Sequence, residues 1–93
     1  MKTFKWNAEK NEILVKERGI TFEEIVLRIA SWAKVIETDH PNKLKYPNRK
    51  ILIVDVEGYA YLVPFAMDND EYFLKTIIPS RKATKKYLGG KNG

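Results

Sequence analysis

The sequence predicts an α+β fold, in which an N-terminal strand and two helices pack on an antiparallel sheet of three or four strands, followed by a short C-terminal helix. Three observations carry this prediction: two capped helical segments in the first third of the chain, two β-rich runs joined by a two-residue loop, and a third apolar run that ends at a proline. A chain with hairpin-linked strands and helices in a separate part of the sequence has few other compact folds available. At this length, residues 1–93 are expected to form a single domain.

The first helix is predicted to run from Ala8 to Arg18, after a short extended segment over residues 2–6. Asn7 is a favourable N-cap, because its side chain can accept a hydrogen bond from the first turn. Gly19 is placed to end the helix in a left-handed conformation. The residues expected to face inward are Ile13 and Leu14.

A capping box marks the start of the second helix. The Thr21 hydroxyl can accept from the Glu24 amide while the Glu24 carboxylate reaches back. The apolar residues that follow have the three-four spacing of one buried face. They are Phe22, Ile25, Val26, Ile29 and Ala33.

The chain loses its periodicity between Val35 and Arg49, where two prolines indicate a connecting loop with a brief strand at Val35–Glu37. His40, the only histidine, falls in this loop. A catalytic role would require a partner that the sequence does not identify. A surface position is therefore the favoured interpretation.

Two β-rich runs, Lys50–Val56 and Tyr59–Phe65, flank Glu57-Gly58, a loop length that suits a tight hairpin. This turn predicts a register with Val56 opposite Tyr59. Alternation then places one set of residues on each face of the sheet. One face is expected to carry Leu52, Val54, Val56, Tyr59, Tyr61, Val63 and Phe65, and the other Ile51, Ile53, Asp55, Ala60 and Leu62.

The C-terminal third is predicted to hold a strand at Tyr72–Ile78 and a short helix capped by Ser80 that continues to Leu88, with residues 89–93 frayed. Pro64 cannot donate to a ladder, so a strand end, a bulge or a sheet edge is expected near it.

Charge is distributed unevenly along the chain. The segment from Tyr72 onward has six Lys or Arg and no acid, a net of +6, whereas residues 1–71 have a net of −1. A pI near 9.5 with one-sided charge favours an anionic partner, which would be a nucleic acid or an acidic protein. The alternative without a partner is that these C-terminal bases form the solvated surface of a helix.

Several function classes are excluded by composition. The absence of cysteine excludes disulfides, Cys-ligated zinc and thiol catalysis, and makes a reducing cytosol the simplest compartment. No apolar stretch reaches the roughly 18 residues needed to span a membrane, so no membrane association is expected. No metal-spaced histidines and no phosphate-cradling glycine loop occur. The feature that is left is a group of basic residues beside a sheet with tyrosines. Such a surface suits a nucleic acid, whose phosphates are anionic and whose bases can stack on aromatic rings.

Both ends of the chain resemble one family. Residues 4–7 (FKWN), Lys10, Gly19 and residues 20–24 (ITFEE) are similar to the opening of BrnT-type toxins, F-x-W-D-x-x-K…G-V-S-F-E-E. Residues 77–84 (IIPSRKAT) resemble the strand-to-helix segment of that family, I-I-S-A-R-K-A-T. The resemblance implies a small α+β ribonuclease related in fold to RelE, which inhibits translation and growth. It also implies a cognate small DNA-binding antitoxin, and as substrate either free RNA or mRNA on the ribosome.

The resemblance also implies a chemistry that needs no metal or other cofactor, namely attack of a ribose 2′-oxygen on the adjacent phosphate. Arg81 would clamp that phosphate and stabilise the charge of the transition state. Proton transfer would fall to Lys10, to another lysine with a lowered pKa, to Tyr87 or to His40, and the sequence does not choose among them. The bases expected to attract RNA are Lys75, Lys82, Lys85 and Lys86.

One departure from the family motif motivates an alternative function. Thr76 stands where the family has a strand arginine, and Lys75 or Arg49 could supply the missing charge. Arg49 is therefore included with Arg81 and Lys10 among the candidate catalytic residues. The alternative is a catalytically degenerate relative that binds RNA or antitoxin without cutting.

Overall fold

The structure is a computed structural model and describes residues 3–31, 35–39, 44–45, 47 and 49–88. It confirms an α+β fold. Its elements in chain order are β1 (Thr3–Trp6), α1 (Ala8–Arg18), α2 (Phe22–Ala30), β2 (Val35–Asp39), β3 (Arg49–Val56), β4 (Tyr59–Asp68), β5 (Glu71–Leu74), β6 (Ile78–Pro79), α3 (Arg81–Ala83) and a π-helical turn, Thr84–Leu88. Three predictions, for Ala33, His40 and the frayed end at 89–93, fall outside the described residues.

The sheet differs from the predicted antiparallel sheet of three or four strands. Within the described residues it has six strands in the order β1-β5-β4-β3-β2, with β6 also paired to β4, and it is mixed because β1 runs parallel to β5. Two parallel neighbouring strands need a long crossover connection, and here residues 7–70 lie between β1 and β5. Local sequence patterns carry no information on pairing between segments so far apart, so they do not predict the strands added by this pairing.

The helices begin and end where their caps predict. The Asn7 side chain accepts from the Lys10 amide (3.0 Å), and Gly19 ends α1 with a φ of 67°. Thr21 Oγ1 accepts from the Glu24 amide (3.0 Å), while the Glu24 carboxylate contacts Arg28 (3.5 Å). The first half of the capping box is therefore confirmed.

The inward position of Leu14 is confirmed, but that of Ile13 is wrong, since its side chain is 45% exposed. Adjacent residues on a helix point about 100° apart, so both cannot face the sheet. Asn11 fixes α1 to α2, because its Oδ1 accepts from the Phe22 amide (2.8 Å) and its Nδ2 donates to Glu23 (2.7 Å).

The predicted hairpin between β3 and β4 is confirmed with its register, in which Val56 lies opposite Tyr59. Glu57 (φ 55°) and Gly58 (φ 86°) both adopt positive φ, as a type I′ turn requires. The Asp55 carboxylate accepts from the Gly58 amide (2.7 Å) and holds the loop. β2 is also confirmed and extends to Asp39.

Each face of the sheet has its own core. The face that carries Leu52, Val54 and Val63 packs with Leu14, and we call it the helix face. The opposite face, called here the second face, packs Ile53 and Ala60 with Ala83, and the partly buried side chains of this smaller core include Ile36, Ile51, Leu62, Tyr87 and Leu88. The predicted division of the hairpin into two apolar faces is thus confirmed.

The predicted strand Tyr72–Ile78 is split by a bulge. Leu74 pairs with Phe65 and Ile78 pairs with Leu62, so three residues on this strand span two on β4. The interruption lies beside Pro64. The Pro64 carbonyl accepts a hydrogen bond from the Lys75 amide (2.8 Å), but proline has no N–H with which to continue the ladder. The strand end, bulge or edge predicted for the strand of Pro64 is therefore wrong for β4, which continues through the proline inside the sheet, and the irregularity lies in the neighbouring strand.

Candidate functional site

A cavity of about 320 Å³ lies on the second face, between the sheet and the C-terminal helical segment. Its floor is apolar and consists of Ile51, Ile53 and Leu62. These residues are neighbours on β3 and β4 and face the same way because side chains alternate along a strand.

The walls of the cavity are polar and come from two elements. Lys82, Lys86 and Tyr87 project from the helical segment, and Thr38 and Asp39 stand opposite them at the end of β2. The Lys86 ammonium lies 5.3 Å from the centre of the Tyr87 ring. An apolar floor with cationic walls can receive a flat ring below and an anionic group above.

The chain entering the helical segment is held on both sides of Arg81. The Ser80 amide donates to the Ala60 carbonyl (3.0 Å), and Ser80 Oγ accepts from the Ala83 amide (3.0 Å), which confirms the predicted cap. Thr84 Oγ1 donates to the Ser80 carbonyl (2.8 Å) and accepts from the Ala60 amide (2.8 Å). The backbone of Arg81 therefore has a fixed position relative to β4.

We expect Thr84→Val to lower the free energy of unfolding by about 1–3 kcal/mol, because valine leaves the buried Ala60 amide without an acceptor. Thr84→Ser keeps the hydroxyl and is the matched control. Urea unfolding measures the loss, and hydrogen exchange at the Ala60 amide should accelerate in the valine variant alone. Equal stability of the two variants would show that the hydroxyl does not fix this junction.

The predicted basic residues of the helical segment divide into two pairs. Lys82 and Lys86 line the cavity. Arg81 and Lys85 are exposed and do not line it. An arginine in this position can reach a phosphate bound at the outer edge of the cavity while the two lysines contact the ligand inside.

Arg49 and Lys75 lie on the same face as the cavity. Arg49 is two residues before Ile51 on β3, so both face the same way. The Lys75 ammonium lies 4.6 Å from the centre of the Phe73 ring, and Phe73 lies in one row with Ala66 and Arg49 across three strands. The two bases therefore extend the cationic surface along the sheet from the cavity.

Lys10 is placed apart from the other candidates. It lies on α1, whose buried residue Leu14 belongs to the core of the helix face. The other six, Arg49, Lys75, Arg81, Lys82, Lys85 and Lys86, lie on the second face or on the helical segment that packs against it. The sheet therefore separates the layer that contains Lys10 from the cavity.

Thr76 lies within the bulge, between Lys75 and the buried Ile77. The strict alternation expected of this strand is interrupted there, since Leu74 and Ile77 both belong to the core of the helix face although three residues apart. An arginine at this position would leave the sheet from an irregular stretch of backbone.

Sequence reasoning does not identify Thr38 and Asp39, because the strand that it predicts ends at Glu37. A longer strand is detectable only through its pairing, in which Thr38 lies opposite Ile51.

On the helix face, a hydrogen bond to Glu37 (3.1 Å) raises the pKa of Lys50. That lysine therefore belongs to a surface ion pair on the other side of the sheet.

Among the described residues, no group of three or more His, Cys, Asp or Glu is arranged to hold a metal ion. Within the same part of the chain, every helix is too short or too polar to cross a membrane. Comparison of the sequence and structure with protein-family models, with curated proteins and with solved structures finds no match in any of the three.

Proposed function

We propose that the chain is an RNA-cleaving toxin of a toxin–antitoxin pair, similar to BrnT-type toxins and RelE-like in fold. The observation that carries the proposal is the gathering of six predicted basic residues around one apolar-floored cavity or along the sheet face beside it. Four of them belong to the helical segment, and the fold brings Lys75 and the distant Arg49 onto the same face. The resulting surface fits the bases and phosphates of RNA.

The cavity supports this proposal through its chemistry. A base can rest on Ile51, Ile53 and Leu62, while its phosphate meets the ammonium groups of Lys82 and Lys86. Arg81, at the fixed junction, supplies a planar fork that can hold two phosphate oxygens as negative charge builds in the transition state. Attack of the ribose 2′-oxygen would form a cyclic phosphate and release the 5′-oxygen of the next nucleotide.

Proton transfer in this reaction is assigned most simply to groups in the cavity. Tyr87, Lys82 and Lys86 line it and are the groups there that can exchange protons with the 2′-hydroxyl and the leaving oxygen. Asp39 lies opposite Lys50 in the pairing of β2 with β3, so its carboxylate points to the helix face. Lys10 is on the far side of the sheet, where it suits contact with a partner better than proton transfer.

A second candidate function is a degenerate relative that binds RNA or antitoxin without cutting it. Thr76 favours this function, because the residue that stands at the family's arginine position is uncharged and lies in a bulge. The two functions share the basic surface and differ only in turnover.

We expect induced expression of the chain to arrest bacterial growth and the purified protein to cleave RNA in the presence of a chelator. RNA ends carrying a 2′,3′-cyclic phosphate, or its opened product, would identify attack by the 2′-oxygen. Arg81→Ala, purified in parallel, controls for contaminating nuclease. A folded protein that neither arrests growth nor cleaves RNA would overturn the enzyme proposal.

Thr76→Arg separates the two candidate functions. A degenerate relative should gain cleavage when the arginine is restored, whereas an active enzyme should cleave RNA with or without it. Thr76→Lys, which adds a charge without the planar fork, is the matched control. Antitoxin-like partners encoded in a neighbouring reading frame can be tested for co-purification with both variants.

A further inference from the structure

An aromatic side chain is exposed on the second face beyond the cavity. Phe73 is 39% exposed on β5, and the Lys75 ammonium lies over its ring. Its neighbour on β4 is Ala66, whose small side chain leaves the ring open on that side, and Arg49 follows on β3. An exposed ring on a sheet, flanked by cations, is the arrangement on which proteins stack the bases of single-stranded nucleic acid.

The position of this ring is continuous with the cavity. Arg49 lies two residues from Ile51 on the cavity floor, a separation of roughly 7 Å along the strand. Lys75 is the residue whose amide meets the Pro64 carbonyl, between the cavity and Phe73. A strand of RNA leaving the cavity toward the ring would therefore pass Lys75 before it reaches the aromatic surface.

Charge defines the extent of this surface. Lys75 lies on the cavity side of the ring, Arg49 lies in the row of the ring on β3, and Lys5 lies beside the ring on β1. Two carboxylates of this face, Glu71 and Asp68, lie in the next row away from the cavity, and Glu71 pairs with Lys5 (2.8 Å). A polyanion is thus attracted between the cavity and Phe73 and repelled beyond it.

We propose that Phe73, with Lys75 and Arg49, forms a stacking platform for a base of single-stranded RNA next to the nucleotide held in the cavity. The base displaces the Lys75 ammonium from the ring, and the ammonium then neutralises the adjoining phosphate. This inference rests on the proposed function for the nature of its ligand, and it adds that the substrate is single-stranded and engaged at two places.

Binding of a 2′-O-methyl RNA of roughly eight nucleotides tests the platform, because this probe is single-stranded and lacks the 2′-hydroxyl needed for cleavage. Phe73→Ala should weaken binding by about 5- to 100-fold, and Phe73→Trp should restore it. Affinity for duplex RNA should stay unchanged. Lys75→Ala should lower the slope of log affinity against log salt by about 0.7, whereas Phe73→Ala should not change this slope.

Tyr59→Ala is the matched control, since Tyr59 is 37% exposed and belongs to the residues of the helix face. Circular dichroism and thermal unfolding verify that each variant is folded. Wild-type affinity in Phe73→Ala, an equal loss in Tyr59→Ala, or no binding of the probe by the wild-type protein would each overturn the platform. An equal loss of binding to polyglutamate would assign this surface to an acidic protein instead.

The outcome is distinguishable from that of the cleavage proposal. If the wild-type protein cleaves RNA while Phe73→Ala binds the probe normally, the platform is wrong and the proposed function stands. If binding depends on Phe73 while no RNA is cleaved, the platform stands and the chain is the non-catalytic alternative.

Discussion

Arg81→Ala is expected to reduce the rate of RNA cleavage by about 10²–10³ and to abolish growth arrest, while the protein stays folded. The guanidinium is exposed, and its backbone is held by the hydrogen bonds that Ser80 and Thr84 make with Ala60. Because the backbone that carries the guanidinium is already held in place, the guanidinium can stabilise the charge of the transition state with little rearrangement of the protein. Removing it should lower turnover far more than it lowers affinity.

Two further variants sharpen this prediction. Arg81→Lys should also fail, because a point charge cannot reproduce the planar, bidentate fork. Lys85→Ala is the matched control, since Lys85 is likewise exposed on the helical segment and does not line the cavity. Its loss should weaken RNA binding modestly, by an amount that shrinks as salt rises. Lys86→Ala should similarly only reduce toxicity.

Single-turnover kinetics and RNA affinity measured on the same preparations separate these effects. Antitoxin binding should persist in every variant. Equal and mild effects from Arg81→Ala, Lys85→Ala and Lys86→Ala would mean that the segment is only an electrostatic patch and that the chemistry lies elsewhere.

Phe65→Ala is expected to lower the free energy of unfolding by about 3–5 kcal/mol. Phe65 is fully buried in the core of the helix face, and its ring stacks on Tyr72 with centroids 4.6 Å apart. The change leaves a cavity and removes a stacked aromatic pair. A loss of this size is a large share of the 5–15 kcal/mol typical of a domain.

Urea unfolding followed by circular dichroism measures this loss. Phe65→Leu should cost less, because it retains more of the buried volume. Phe73→Ala removes the same side chain from an exposed position and should change stability by about 0.5 kcal/mol or less. A small effect of Phe65→Ala would show that β4 and β5 do not pack as described.

The candidate site was predictable in its residue types and only partly in its geometry. The run of bases after Pro79 indicated an anion-binding segment, and the Ser80 cap indicated where its helix begins. The sequence could not show that Lys82 and Lys86 line a cavity while Arg81 stays outside it. That division depends on how the segment lies against the sheet, to which it is attached by the hydrogen bonds of Ser80 and Thr84 with Ala60.

Local patterns determined the elements that are stabilised by neighbouring residues. Asn7, Gly19 and Thr21 fixed the limits of the helices through hydrogen bonds and φ angles within a few residues. The turn at Glu57-Gly58 fixed the hairpin register, because a two-residue loop leaves only one pairing. Alternation along those strands then determined both apolar faces.

The tertiary structure alone decided the pairing of distant segments. β1 lies parallel to β5, and the bulge at Thr76 turns Ile77 into the same core as Leu74, on the helix face. Both features depend on backbone groups that have no partner within their own segment and must find one across the sheet. Main-chain donors and acceptors are nearly the same for every residue type, so the local side-chain pattern of a segment does not indicate which distant strand will satisfy them.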